Sequence, residues 1–191
     1  RRRGCGSRPC TAPNRGAGVE HTIPWPPLPP FTSHYTGPGG IIFKDESDDV
    51  LFVQQINPGL FPVTWKFPGG LINVGETIYE GVIREVKEET GVEITEKDLI
   101  NLSPDKRLFP STGTSDEAMY FFACEIEMSK SQIDSLDAQN MGTTYEFERI
   151  TTHVVPFVEG HRMINNTNGL LLNYLYLSHV KDWDLLQKLT M

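Results

Sequence analysis

Few cysteines, no long apolar run and no surplus of positive charge characterise this 191-residue chain. Its cysteines are Cys5, Cys10 and Cys124, two in the N-terminal tail and one in a predicted strand. That distribution excludes a disulfide framework and fits a reduced compartment. No eighteen consecutive apolar residues occur, so neither a helical membrane span nor a membrane partner is expected. Lys and Arg total 17 against 25 Asp and Glu, a formal net charge of −8. This excludes the broad basic surface that replaces counterions on nucleic acid, so no nucleic-acid partner is expected. A small phosphorylated ligand stays compatible, because a bound divalent cation reverses the local sign. Acids are missing from the first nineteen residues, which hold Arg1, Arg2, Arg3, Arg8 and Arg15. That stretch reads either as a plain extended tail of a cytoplasmic protein or as an organellar transit segment.

What is present divides the chain in two. Residues 1–37 are rich in Pro, Gly and Arg, including IPWPPLPP from Ile23 to Pro30, and read as a flexible arm. Residues 38–191 read as one globular domain. Ile41–Phe43 and Val50–Val53 form a predicted hairpin, followed by a loop from Asn57 to Pro62 and then Trp65-Lys66-Phe67. Thr77 to Thr90 is the clearest helix: Tyr79, Val82, Ile83 and Val86 recur at three- and four-residue intervals, and Gly91 supplies the stop. A weak strand is expected over Leu99 to Leu108, a strong one over Ala118 to Ile126, a short helix over Ser131 to Leu136, a strand over Glu148 to Val155 and a buried helix over Gly169 to Ser178. The order predicts an α/β (α+β) class with helices packed on a sheet.

The chemistry concentrates in GLINVGETIYEGVIREVKEETGV, from Gly70 to Val92. At about 100° per residue, Glu85, Glu88 and Glu89 fall within a sector of roughly 100° beside the apolar stripe. Like charges at that spacing repel unless a cation neutralises them. Clustered carboxylates are the ligands that hard divalent ions require. Arg84 adjoins Glu85 and lies four residues before Glu88, which suits a clamp on both carboxylates. Glu76, just ahead of the helix, reads either as a support for the metal-binding carboxylates or as an acid at the helix N-terminus. Gly69 and Gly70 are expected to take positive φ and admit close backbone approach.

The frame G-x5-E-x7-R-E-U-x-E-E-x-G-U is met at every fixed position, so the chain resembles the Nudix hydrolases. The resemblance implies a mixed β-sheet between helices, with a loop–helix–loop motif that cleaves a nucleoside diphosphate linked to another moiety. It implies Mg²⁺ (or Mn²⁺) bound by Glu85, Glu88, Glu89 and a carbonyl at Gly69 or Gly70. Pro110 to Glu117, ahead of AMYFFACEI, is similar to the Ser-Pro-Gly…Ser-Asp-Glu segment of ADP-sugar pyrophosphatases, with Thr112 where those often carry Pro. That similarity points to ADP-ribose or another ADP-sugar as substrate, with Gly113, Ser115 and Glu117 beside the diphosphate and ribose. Glu148-Arg149-Ile150 is similar to the family's Glu-x-Ile stretch. Glu148 is therefore the candidate general base, with Glu146 as second choice. Trp65 is an aromatic available to stack on adenine. NADH or dinucleoside polyphosphates are alternative substrates within the same reaction. A Nudix module that senses ADP-ribose without cleaving it is the alternative from another class. The expected partner is the small nucleotide diphosphate substrate, and a homodimer stays open.

Overall fold

The computed structural model describes residues 34–35, 40–44, 49–57, 61–104, 106–114, 117–142 and 149–190, with side chains described between Thr64 and Leu189. All of these lie within the unit Thr32–Met191. Of the arm only His34 and Tyr35 are described, and the candidates Ser115, Glu146 and Glu148 fall outside the described residues.

The elements run β1 (His34–Tyr35), β2 (Gly40–Lys44), β3 (Asp49–Asn57), β4 (Phe61–Lys66), β5 (Leu71–Ile72), α1 (Ile78–Thr90), a 3₁₀ turn at Glu96–Asp98, β6 (Leu99–Asn101), β7 (Phe122–Glu127), α2 (Lys130–Leu136), β8 (Asn140–Met141), β9 (Arg149–Pro156), α3 (Phe157–Met163), α4 (Thr167–Val180) and α5 (Trp183–Thr190). The main sheet has the order β6-β7-β2-β3-β9-β8, and it is mixed because β2 and β7 run parallel while the other pairs are antiparallel. One edge of β3 pairs with β9 throughout, from Asp49↔Pro156 to Ile56↔Arg149. The other edge is divided: β2 meets it at Ile42↔Val50, and β4 takes over from Val53↔Lys66 onward. That handover carries β4 toward the loop that precedes α1.

Alternating side chains of β7 and of Phe121 just before it build a core on each face of the sheet. Phe122 and Cys124 face α1, where Val82 and Val86 are 2% and 1% exposed, with Ile126 and Val154 around them. Phe121 and Ala123 face the C-terminal helices and pack with Phe157, Leu172, Tyr176 and Leu177. Burying one such aliphatic side chain contributes roughly 1.5–3 kcal/mol.

The ends of α1 explain its position. Thr77 is the cap rather than the first helical residue: it accepts from the Glu80 N–H, while the Glu80 carboxylate accepts from the Thr77 N–H, a reciprocal capping box. At the other end Gly91 is left-handed (φ 74°) and its N–H reaches the Lys87 carbonyl. The apolar stripe is therefore docked on the sheet, and the acidic sector is held beside β4.

Three expectations change. AMYFFACEI was expected as one strand, but ladder pairing starts at Phe122, with Met119 making only a bridge to Leu108. The weak strand stops at Asn101, and the Asn57–Pro62 loop is shortened because β4 begins at Phe61. Helices α3 and α5 were not anticipated.

Candidate active site

Two cations organise the acidic face of α1. Arg84 uses all five guanidinium N–H groups. Its Nε donates to Glu76 Oε1 (2.7 Å) and Nη2 to Glu76 Oε2 (3.1 Å) and the Leu71 carbonyl (2.6 Å). Nη1 donates to Glu85 Oε1 and Glu88 Oε2, both at 2.9 Å. Glu76 also accepts from the Asn73 N–H at 2.8 Å, so the loop before the helix, Arg84 and two carboxylates form one network. The bonds from Arg84 hold the Glu76 carboxyl down at about 2, far below the ordinary glutamate value.

Lys66, on β4, is the second cation. Its Nζ donates to Glu89 Oε1 at 2.8 Å and to the Gly69 carbonyl at 3.0 Å. The other Glu89 oxygen accepts from the Gly69 N–H at 2.8 Å. Glu89 is 2% exposed and the Lys66 side chain 16%, so this pair is largely removed from water. Burial of such a carboxylate is tolerable only because it is paired and hydrogen-bonded.

Glu85 lies between the two cations and is satisfied by one of them. Burial, and then the negative charge of Glu89, push its carboxyl up to about 7, against the pull of Arg84. The Gly70 backbone closes the third side. A β-carbon on Gly70 would lie 2.5 Å from Glu85 Oε1 and 2.6 Å from its Cδ. The expectation of positive φ is met at Gly69 but not at Gly70: among the described residues the positive-φ glycines are Gly69, Gly75, Gly91 and Gly142. Its need for glycine is steric.

These residues fit a hard divalent cation. The donors are all oxygen, two carboxylates are buried against each other, and a glycine leaves the space in which the Glu85 carboxylate sits beside the backbone. The arrangement is not a preformed cage: among the described residues, no three His, Cys, Asp or Glu side chains form a metal-binding group. Glu85 and Glu88 turn to Arg84, whereas Glu89 turns to Lys66.

The remaining candidates lie apart from this cluster or outside the described residues. Trp65 is next to Lys66 in β4 and therefore on the opposite face of the sheet. Its ring meets His153 edge-on (centroids 5.0 Å), and its backbone is bracketed by Asn165 Oδ1 (3.0 Å) and Asn166 Nδ2 (2.7 Å). Gly113 occupies an exposed turn in which the Thr114 N–H bonds the Ser111 carbonyl, and Glu117 is half-buried. A cavity of about 340 Å³ adjoins the Arg84 network, sharing Glu76 as wall and lined also by Ile72, Thr77, Ile78, Arg107 and Tyr120.

Sequence reasoning missed Lys66, the Leu71 carbonyl and Arg107. Lys66 and the Leu71 carbonyl meet α1 only through tertiary contact, and Arg107 enters only as a wall of the cavity, so no sequence spacing singles them out.

A family model described as NUDIX domain matches residues 35–150. Nudix hydrolase 6 of Arabidopsis thaliana is 34% identical over 114 residues, covering 59% of this chain and 38% of that protein. Nucleoside diphosphate-linked moiety X motif 6 of Mus musculus is 31% identical over 137 residues, covering 66% of this chain and 42% of that protein. The chain thus spans about two fifths of the length of these relatives. Among solved structures, the NUDIX domain of Shewanella oneidensis NrtR complexed with ADP ribose aligns with a TM-score of 0.57 at 15% identity, over 78% of this chain and 90% of that one. A C. elegans Ap4A hydrolase aligns at 0.54 and 17% identity, over 78% and 98%. These two likenesses establish the fold.

Proposed function

The chain belongs to the Nudix family, and we propose that it hydrolyses a nucleoside diphosphate linked to a second moiety, with ADP-ribose or another ADP-sugar as substrate and AMP plus a sugar phosphate as products. The observation that carries this reading is the Arg84–Glu85–Glu88 cluster beside the buried Glu89, four residues of a complete box gathered at one end of β4. The preference for an ADP-sugar rests on the similarity of the Pro110–Glu117 segment to that of ADP-sugar pyrophosphatases.

Nudix hydrolases generally use divalent cations, and here Glu85, Glu88, Glu89 and the Gly69 carbonyl would hold Mg²⁺ or Mn²⁺. Such an ion neutralises diphosphate oxygens and lowers the pKa of water. The chain's own residues set the geometry. Arg84, anchored by Glu76 and the Leu71 carbonyl, keeps Glu85 and Glu88 in the rotamers that present their oxygens on one side. Gly70 lets the Glu85 carboxylate approach the backbone. Glu148, with Glu146 as second choice, would accept a proton from the water that attacks phosphorus as the P–O bond to the leaving phosphate breaks. The cavity lined by Glu76 and Arg107 meets the Arg84 network at Glu76 and would provide room for part of the substrate beyond the diphosphate.

A panel of ADP-ribose, ADP-glucose, NADH and diadenosine tetraphosphate, read by phosphate release after coupling to a phosphatase, tests this assignment. Hydrolysis of the ADP-sugars with loss of turnover in Glu88→Gln is expected. Turnover confined to NADH or the dinucleoside polyphosphate would replace the substrate, and tight ADP-ribose binding without hydrolysis would replace the reaction by sensing.

A further inference from the structure

Lys66 claims two of the oxygens that a divalent cation would need. Its single Nζ lies 2.8 Å from Glu89 Oε1 and 3.0 Å from the Gly69 carbonyl. An ammonium satisfied by a carboxylate and a carbonyl imitates a cation site with charge +1. Its direction is set by the fold: Lys66 is the last residue of β4, locked in register against Val53, and Gly69 is three residues further along. Glu89 cannot easily turn elsewhere, because its second oxygen is fixed by the Gly69 N–H.

We propose that Lys66 is a built-in competitor for the divalent cation: its ammonium holds Glu89 and the Gly69 carbonyl in place, must be displaced when the ion takes them, and so sets the cation concentration at which the site loads. This rests on the reading that the box carboxylates bind such an ion. Two consequences separate it from a purely structural ion pair. Removing the ammonium takes one positive charge from the immediate surroundings of the ion and ends the competition, so affinity rises. The same change leaves two buried carboxylates, Glu85 and Glu89, facing each other with less neutralisation, so the protein depends more on the added ion for its stability.

The test is Mn²⁺ titration of chelator-stripped protein, with free Mn²⁺ read by electron paramagnetic resonance, on wild type, Lys66→Gln, Lys66→Met and Lys66→Arg. Lys66→Gln keeps an N–H donor and remains informative if Lys66→Met does not fold. The expected result is Mn²⁺ binding about tenfold tighter in Lys66→Gln and Lys66→Met, with Lys66→Arg within about threefold of wild type. In thermal melts, Lys66→Gln should lie below wild type in chelator and gain more from Mn²⁺. Unchanged or weaker Mn²⁺ binding, or melting points that fall equally with and without the ion, would overturn the competitor role. Absence of Mn²⁺ binding in wild type itself would overturn the cation reading of the box, a different failure.

Discussion

Gly70→Ala should separate catalysis from folding. An added methyl carbon lies 2.5 Å from Glu85 Oε1, whereas ordinary contact begins at 3.4 Å, so the carboxylate must retreat by 3.4 − 2.5, or about 0.9 Å. The glycine backbone itself makes no demand, because Gly70 is not among the positive-φ positions. Replacing such a glycine by alanine typically adds about 0.4–1 kcal/mol through the unfolded state, which offsets part of the local crowding. The crowded atoms are the end of a flexible side chain, so the change in unfolding free energy should stay within about 1 kcal/mol. The proposed catalysis has no such slack. Glu85 Oε1 is bonded to Arg84 Nη1 at 2.9 Å, and a displacement near 1 Å either breaks that bond or drags the guanidinium away from Glu88. Misplacement on this scale costs on the order of 100-fold in rate, about 2.7 kcal/mol of transition-state stabilisation. The assay pairs initial-rate kinetics at saturating Mg²⁺ with urea denaturation. A folded Gly70→Ala protein with kcat within about threefold of wild type would refute the argument that Glu85 needs this approach to the backbone.

Three further outcomes follow from the same geometry. Gly91→Ala places a side chain at φ 74° with its β-carbon 3.3 Å from the Met141 methyl group, and should lower unfolding free energy by about 1–2 kcal/mol in denaturant titration. Glu76, with its carboxyl held at about 2 against an unperturbed 4.5, contributes stability that is fully present above pH 4.5 and is lost as pH falls toward 2. Glu76→Gln should flatten that acid limb in stepped-pH urea melts, and an unchanged limb would show that the Arg84 bonds carry no such linkage. Cys124 is 1% exposed and burial pushes its thiol up to about 12, so iodoacetamide at pH 8 should leave it unmodified in the folded protein and label it in urea, as read by peptide mapping.

Helix α1 was legible in the sequence because its information is local. Tyr79, Val82, Ile83 and Val86 repeat with the helical period, Gly91 ends the run, and both features appear where expected. The hairpin of β2 and β3 was legible for the same reason, and its strands pair at Ile42↔Val50. Helix α5 was not, because eight residues are too few to hold a helix by propensity alone. It exists by setting Leu185, Leu186 and Leu189 against the core of the C-terminal face, a contact no local pattern announces. Helix α3 has the same difficulty: FVEGHRM has a central glycine, and the segment is secured by burial of Phe157 and Gly160.

The site divides along the same line. Arg84, Glu85, Glu88 and Glu89 belong to one helix, so their spacing announces their common face. Their division between two cations does not follow from spacing, because Lys66 reaches Glu89 across 23 positions and Gly70 meets Glu85 across the loop. Trp65 carries the consequence for substrate choice. An aromatic one residue from the site looks available for stacking when read along the chain. The strand's alternation turns it to the other face, where His153, Asn165 and Asn166 already engage its ring and backbone. Room for a ligand lies beside the Arg84 network. There Arg107 and Tyr120 line a cavity whose wall, Glu76, is bonded to Arg84, the arginine that also bonds Glu85 and Glu88. A ligand group in that cavity would press on the same carboxylate that anchors Arg84, which would couple recognition of the second moiety to the placement of Glu85 and Glu88.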